Sequence, residues 1–505
     1  MRKFRCDTVL VTIAFVIASL HIHAQSSVYG EFSGFVHVAN PGKPGLAQYD
    51  TLAQEYFLEG SSGNMWFDRD DFHFLWKKIR GNFTVQAQVE FIGKGVEDHR
   101  KVGWMIRHSL EPNSPQVNAV VHGDGLTSIQ FRRSPGGETE ELKATITSAD
   151  VIQLERQGNA YMMSVARFGE PFVTTQIPEL SLGDEVYVGL FLCSHNEAVV
   201  EKARFRNVRI IIPPKEGYVP YRDYIGSHVE TMEVENGLRK ILYSEPGSLQ
   251  APNWTKDNRS LIYNADGKLF LLDLNAKVPQ IINTDFATKN NNDHVLSFDG
   301  KMLAISHHSD IDGGASLIYT VPLTGGVPKK ITEKGPSYLH GWSPDGKFLL
   351  YTGERNNEYD IYKIPASGGR EIKLTSSKGL DDGSEFSPDG KYIYFNSVRS
   401  GRMQIWRMKP DGQQPEQLTF DEFNNWFPHI SPDGKMMVFL SYQKEVAPDD
   451  HPFYHHVYIR MMPVSGGKPK IIAYVFGGQG TINVPSWSPD GKKIAFVSNT
   501  AMEKK

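Results

Sequence analysis

Cysteine is almost missing from this sequence, which has two, Cys6 and Cys193, in 505 residues. Cys6 lies in an N-terminal segment that we expect to be removed, so Cys193 would be left without a partner for an internal disulfide. A small scaffold held together by disulfides is therefore excluded. No Cys-x-x-Cys pair is present, and zinc sites of that kind are excluded as well.

Long apolar runs and a strong charge of either sign are also lacking. No stretch beyond the N-terminal segment approaches the roughly 20 apolar residues that a membrane-spanning helix needs. The 54 basic and 58 acidic residues give a net charge of −4, which argues against a strongly basic nucleic-acid binder. His-Glu-x-x-His, a phosphate-binding loop and Gly-x-Ser-x-Gly are absent, so zincin, nucleotide and serine-hydrolase chemistry are unsupported.

The N-terminal segment predicts export. Three basic residues lie within the first five positions, the range 9–20 is apolar, and residues 22–24 offer a cleavage site before Gln25. The apolar run is too short to span a membrane, so residues 1–24 are interpreted as a secretory signal peptide. The alternative is an uncleaved N-terminal anchor. We expect the mature protein to be periplasmic or secreted.

The second half of the chain contains a repeat. Six segments of the type Trp-Ser-Pro-Asp-Gly-Lys carry aspartates 42, 46, 44, 44 and 57 residues apart, namely Asp257, Asp299, Asp345, Asp389, Asp433 and Asp490. Alternating apolar runs after each segment predict four strands per unit, which is one propeller blade. Asp-Gly favours a tight hairpin turn, so the segment is interpreted as structural and not catalytic.

The last repeat contains only two strands before the sequence ends, and the missing pair lies upstream at His228–Val234 and Arg239–Tyr243. We therefore predict a six-bladed propeller closed by strands from both ends, which leaves no exposed sheet edge. The repeats resemble those of the TolB-like six-bladed propellers (PD40/WD40-like repeats) over residues 225–505. Such propellers serve scaffolds, peptidase accessory domains and lyases, so the resemblance implies the fold and not one function.

The first half predicts a β-sandwich. Eight alternating segments with turns between them lie within residues 26–213, and no long amphipathic helix is found. We divide the chain into the signal peptide (1–24), a sandwich (25–213), a linker with paired prolines (214–226) and the propeller (227–505). The segments 64–83 and 103–107 resemble concanavalin-like or laminin G-like jelly-roll modules of carbohydrate-active proteins. The whole mature chain is therefore expected to be all-β.

The sandwich residues most suited to a sugar are aromatic and charged side chains near its turns. Aromatic rings can stack on sugar rings, although most tryptophans in a sandwich fill its core. The candidate ligand-binding residues are Trp66, Trp104, Arg107, His122, Asp124 and Arg132.

A second candidate site lies in the propeller. Residues just before the repeat turns are expected to converge on the channel mouth, with Asp293, Asp381 and Asp382 nearby. Histidine and carboxylate are ligands for a divalent metal such as Mn, Zn or Ca, and they could also act as acid and base. The alternative is that the histidines cap strand ends and bond backbone groups. The candidate metal ligands are His294, His340, His429 and Glu385.

Two arginines of the same face, Arg355 and Arg399, are candidate ligands for acidic groups, because guanidinium pairs with carboxylate in a bidentate manner. Glu385, His429 and Arg399 are the candidate catalytic residues. The insertion 446–456 adds Asp449, Asp450 and His451 to this face. Some TolB-like propellers are oligogalacturonide lyases with a histidine-bound metal in the channel, and the resemblance implies such chemistry as one alternative.

No definite catalytic motif is found, so the leading hypothesis is an exported cell-envelope binding or scaffold protein. It would recognise a glycan or a protein partner through the sandwich and the upper face of the propeller, which is the face with the channel mouth. The alternatives are a metal-assisted polysaccharide lyase or glycoside hydrolase, and an accessory of a Tol-type envelope transport system.

Overall fold

The computed structural model describes residues 28–177 and 179–503. The proposed signal peptide and Cys6 lie outside the described residues. Within the described ranges the chain is all-β apart from one short 3₁₀ turn at Asp310–Asp312. No helix in this part of the chain is long and apolar enough to cross a membrane.

Two seven-stranded antiparallel sheets form the sandwich. One has the order β1-β4-β13-β6-β7-β8-β9 and the other β12-β11-β10-β5-β14-β3-β2. The strands are β1 (Gly34–His37), β2 (Gly45–Asp50), β3 (Glu55–Gly60), β4 (His73–Arg80), β5 (Phe83–Phe91), β6 (Lys101–Arg107), β7 (Gln116–His122), β8 (Thr127–Arg132), β9 (Thr139–Lys143), β10 (Val151–Gln157), β11 (Ala160–Ala166), β12 (Val173–Ile177), β13 (Glu185–Cys193) and β14 (Glu201–Ile211).

Side chains that point alternately to the two faces of each strand form the sandwich core. In β6, Val102, Trp104 and Ile106 face the opposite sheet and are fully buried. Lys101 and Arg107 of the same strand lie on the other face, where they are buried as well. Side chains of consecutive residues point to opposite faces of a strand, so both faces of this sheet are covered.

Six blades follow, and five of them have four strands each. The first two blades contain β17 (Gln250–Trp254), β18 (Ser260–Ala265), β19 (Lys268–Asp273), β20 (Pro279–Ile282), β21 (Asn290–Leu296), β22 (Met302–Ser309), β23 (Ala315–Pro322) and β24 (Lys329–Lys330). The next three contain β25 (Ser337–Trp342), β26 (Phe348–Arg355), β27 (Glu358–Pro365), β28 (Ile372–Lys373), β29 (Asp381–Phe386), β30 (Ile393–Ser397), β31 (Gln404–Met408), β32 (Glu416–Gln417), β33 (Asn424–Ile430), β34 (Met436–Tyr442), β35 (Phe453–Pro463) and β36 (Lys470–Gly478).

The sixth blade closes the ring as predicted. It combines β15 (Ser227–Glu233) and β16 (Arg239–Glu245) with β37 (Lys493–Asn499) from the other end of the chain, in the order β16-β15-β37. Trp487 adds a single bridge to Ile494 at the inner side. Strands from both ends therefore share one sheet, and the six-bladed fold is confirmed.

The repeat segment is the predicted hairpin turn. In the third blade, Ser343 Oγ donates to Asp345 Oδ1 at 2.7 Å, and Lys347 N donates to the same oxygen at 3.1 Å. Gly346 has a φ of 70°, which a residue without Cβ adopts without strain. Asp345 is thus engaged in holding the turn.

A buried ion cluster joins the two domains. Glu230 of β15 accepts hydrogen bonds from Arg239 of β16, at 2.7 and 3.0 Å, and from Arg209 of the sandwich strand β14. All three side chains are buried. Tyr474 of β36 also donates to Glu170 O of the sandwich at 2.6 Å. The sandwich is therefore packed directly on the propeller.

Candidate functional site

A large cavity lies at the channel mouth on one face of the propeller. Its volume is about 1640 Å³. Its walls come from the first residues of the inner strands β21, β25 and β29 and from loops that join second and third strands. This is the face on which the sequence placed its candidate site, and we call it the upper face.

β-bulges aim the inner-strand side chains into this cavity. The pairing of β25 with β26 shifts between Leu339 and Gly341, so His340 has no paired partner and lines the cavity. The pairing of β21 shifts between Asn290 and His294, and Asp293 within the shift lines the cavity too. A bulge changes the direction of a side chain without breaking the sheet.

Asp293, His340 and Asp382 form the inner wall of the cavity. His340 Nε2 lies 2.8 Å from Asp382 Oδ1, and Thr352 Oγ1 donates to the same oxygen at 2.6 Å. Asp293 Oδ2 accepts a hydrogen bond from Asn291 Nδ2 at 2.9 Å. Carboxylates from two blades thus flank an imidazole from a third.

The two carboxylates have opposite pKa shifts. Burial raises the pKa of Asp293 to about 6, and the charge of Asp382 acts in the same direction against the opposing effect of His340. Burial also disfavours ionised Asp382, but His340 outweighs it and holds the pKa of Asp382 well below its usual range. Burial would lower the pKa of His340, but Asp382 raises it above its ordinary value. Both shifts favour the ion pair of Asp382 and His340 over its neutral form.

Several buried polar atoms of the inner wall lack a hydrogen-bond partner among the described residues. They are Nδ1 of His340, Nδ2 of Asn292 and Oδ1 of Asn290. Each side chain lines the cavity and is less than one-tenth exposed. A buried polar atom without a partner is costly, so these atoms indicate a place that a polar ligand or water would occupy.

Aromatic rings form the outer wall. The linker contributes Tyr221 and Tyr224, whose rings contact Phe453 of β35 with centroids 5.4 and 5.7 Å apart. Tyr263 and Phe270 of the first blade stack at 5.5 Å with an interplanar angle of 13°. All five rings line the cavity, so the wall is built by both the linker and the blades.

The structure does not bring the four candidate metal ligands together. Within residues 28–177 and 179–503, no three His, Cys, Asp or Glu side chains are grouped so that they could hold a metal ion. His340 lines the cavity, whereas His294, Glu385 and His429 do not. His294 Nε2 lies 3.3 Å from Ile262 O, and burial lowers its pKa to about 4.

Glu385 and His429, which were also candidate catalytic residues, connect two blades. His429 Nδ1 lies 2.7 Å from Glu385 Oε2, while Ile430 N donates to Glu385 Oε1 at 3.1 Å. The other ring nitrogen of His429 contacts Ile482 O. Asn253 of the first blade is the equivalent of Glu385, and its Oδ1 accepts a hydrogen bond from Leu296 N in the same way. This geometry agrees with the alternative in which these residues bond backbone groups.

The two candidate arginines are paired within the protein. Arg399 Nη2 donates to both carboxylate oxygens of Asp381 at 2.9 Å. Arg355 donates to Glu371 at 2.9 and 3.2 Å. Neither arginine lines the cavity. These two arginines therefore do not supply the expected attraction for acidic sugars in the cavity.

The candidate residues of the sandwich are mostly structural in their contacts. Trp104 is part of the core. Arg132 pairs with Asp70 at 2.7 and 2.9 Å, and Arg107 lies 3.5 Å from the same carboxylate. His122 Nε2 lies 3.2 Å from Gln130 Nε2 within the sheet. Trp66 is half-buried, and Asp124 is exposed and accepts a bond from Leu126 N at 2.9 Å.

Most residues of the cavity wall were not predicted from the sequence. The linker tyrosines lie outside the repeat, so no pattern connected them with the channel. The run Asn290–Asn292, directly before Asp293, was a usable signal, because polar residues are unusual at the start of a buried strand.

Comparisons with known proteins agree with this architecture. The TolB beta propeller domain family matches residues 334–453. An uncharacterised protein of Agrobacterium fabrum is 43% identical over 272 residues, which cover 54% of this chain and 92% of that protein. The chain belongs to the TolB-like propeller proteins.

Two solved structures extend the comparison of the TolB-like propeller. A structure from Agrobacterium tumefaciens described as a candidate TolB is 42% identical, with a TM-score of 0.53 over 55% of this chain and all of that one. TolB from Acinetobacter baumannii is 19% identical, with a TM-score of 0.40 over 50% of this chain and 64% of that one. The second likeness is too low to support any argument.

Proposed function

We propose that this protein is an exported binding protein of the cell envelope that holds a glycan in the channel-mouth cavity. The observation that carries the proposal is the size and lining of the cavity. Pockets for single small molecules measure about 300–1,000 Å³, and this one measures about 1640 Å³. It has room for several sugar units.

The chemistry of the lining supports a sugar ligand. Of the described residues that line the cavity, nine are aromatic and eight are Asn or Gln. An amide both donates and accepts hydrogen bonds, which suits the hydroxyl groups of a sugar. A ring such as that of Tyr338 offers an apolar face for the C–H groups of the same sugar.

The N-terminal sequence supports export, which is part of the same proposal. The basic and apolar N-terminal residues favour secretion. The periplasm is our proposed location, in agreement with the TolB-like propeller.

The proposal is tested by titrating the protein with the hits of a glycan array in a calorimeter. We expect Tyr338→Ala to weaken binding by about tenfold, because one stacking face of a sugar site is worth about 1 kcal/mol or more. The matched control is Tyr392→Ala, since Tyr392 is half-buried and lies outside the cavity. Equal affinities for the wild type and both variants would contradict the proposal.

The inner wall favours hydrolysis as a second candidate function. Asp293 and Asp382 have environments that move their pKa values apart, which is how an acid and a base are separated in one site. If a bound glycan is cleaved, new reducing ends appear with the wild type and not with Asp382→Asn. A glycan that binds and stays intact would leave binding as the function.

A further inference from the structure

We infer that the channel-mouth cavity selects glycans that carry protonated amino groups, an inference that rests on the proposed function. The first observation is the charge of the wall. Of the described residues that line the cavity, seven carry a carboxylate and one, Arg222, carries a permanent positive charge. The Arg222 guanidinium is paired with Asp223 at 2.9 Å and does not neutralise the wall.

The carboxylates come from different parts of the cavity wall. Asp382 of the inner wall is paired with His340 at 2.8 Å, whereas Asp449 and Asp450 come from the insertion before β35. Asp449 and Asp450 are exposed and form no ion pair within 4.0 Å among the described residues. A cavity with one sign of charge concentrates ligands of the opposite sign.

A second and independent observation is the unpartnered acceptor of Asn290. Its Nδ2 donates to Gly267 O at 2.9 Å and to Ala287 O at 2.7 Å, which fixes the orientation of the amide. Oδ1 is therefore left as a buried acceptor without a partner on a side chain that lines the cavity. An ammonium group has three donors and no acceptor, so it suits the unpartnered acceptor of Asn290.

The two arginines that the sequence proposed as ligands for an acidic sugar do not line the cavity. Arg355 and Arg399 are engaged with Glu371 and Asp381, outside the cavity. A uronate would meet the unpaired carboxylates of Asp449 and Asp450, and Arg222, the one guanidinium among the described wall residues, is already paired with Asp223. The wall thus disfavours acidic glycans and favours cationic ones.

The test compares three probes of equal length by calorimetry at about pH 6, where the amines are protonated. The probes are oligomers of glucosamine, of N-acetylglucosamine and of galacturonic acid. We expect the glucosamine oligomer to bind about tenfold more tightly than the N-acetylated one, with galacturonate the weakest. We expect Asp449→Asn/Asp450→Asn to reduce that preference several-fold. The matched control, Asp98→Asn/Glu138→Gln, removes the same charge from exposed positions of the sandwich and should retain the preference.

The outcomes separate the inference from the proposed function. If the N-acetylated or galacturonate oligomer binds as tightly as the amine, the inference is wrong and glycan binding stands. A preference that both double variants retain equally would also overturn it, because the attraction would then not come from the cavity wall. If none of the probes nor any array glycan binds, the proposed function fails, and the inference fails with it.

Discussion

The ionisation of a carboxylate in the cavity depends on its immediate neighbours. Asp293 and Asp382 line the same wall, and both are nearly inaccessible to solvent. Asp382 has His340 Nε2 at 2.8 Å and the hydroxyl of Thr352 at 2.6 Å, so it stays ionised. Asp293 has one amide donor, from Asn291, and its pKa rises to about 6. The residue type is the same, and the partner makes the difference.

The raised pKa of Asp293 predicts a pH dependence of stability. Its pKa in the folded chain, about 6, is above the ordinary value of 3.8, so the folded state binds the extra proton between these values. The free energy of unfolding should therefore fall as the pH rises from about 4 to about 6, by up to about 3 kcal/mol. His340, Asp382 and Tyr338 are the titratable neighbours that share this region.

Asp293→Asn removes this titration. We expect the free energy of unfolding of the variant to fall less than that of the wild type between about pH 4 and about pH 6. The variant should therefore be more stable than the wild type at about pH 7. Urea unfolding across this pH range measures both effects. The control is Asp98→Asn, because Asp98 is exposed. If Asp293→Asn and the wild type show the same dependence on pH, the pKa of Asp293 is not raised.

At the level of elements, the bulges of the inner strands decide which residues reach the cavity. His294 and His340 occupy the same place in the repeat, two residues before Leu296 and Trp342. In the third blade His340 lies in the bulge, whereas His294 is paired with Ile305 after the bulge of the second blade. The first histidine is therefore buried between strands, and the second lines the cavity.

The elements themselves could be predicted from the sequence, because period-two alternation and Asp-Gly turns are local signals. The sequence predicts the closing strands at His228–Val234 and Arg239–Tyr243, and their ends lie within two residues of those of β15 and β16. The position of a bulge has no such local signal. The metal hypothesis needed His294, His340, Glu385 and His429 to converge on the channel mouth, and of these four only His340 lines the cavity.

Ion pairs between distant residues could not be predicted from the sequence either. Arg399 and Asp381 are 18 residues apart, and nothing in their spacing shows that they form a bidentate pair. The contribution of the linker tyrosines depends on how the two domains pack, which no local pattern reports.

At the level of the whole molecule, Glu230 connects the sandwich, the first strands of the closing blade and the C-terminal strand. Burial alone would raise its pKa, but Arg209 and Arg239 hold the pKa of Glu230 well below its usual range. Ser498 of β37 also donates to this carboxylate. The stabilisation is present above the usual pKa of a glutamate and is lost as the pH falls below it.

Glu230→Gln should leave two buried guanidinium groups without a negative charge between them. We expect a loss of about 3–5 kcal/mol in the free energy of unfolding, because breaking a buried ion pair leaves an uncompensated charge. The control is Glu371→Gln, whose partner Arg355 lies within the same blade and whose pair is partly exposed. Equal losses in urea unfolding of the two variants would show that the domain junction has no special role.

The central claim is that a glycan occupies the channel mouth, and hydrogen–deuterium exchange with and without the tightest glycan tests it most directly. We expect slower exchange in residues 290–294, 337–341 and 449–453, which form or adjoin the cavity wall. Exchange in the repeat turns and in the sandwich should stay unchanged. Protection confined to the sandwich, or to the face of the propeller that carries the repeat turns, would contradict glycan binding at the channel mouth.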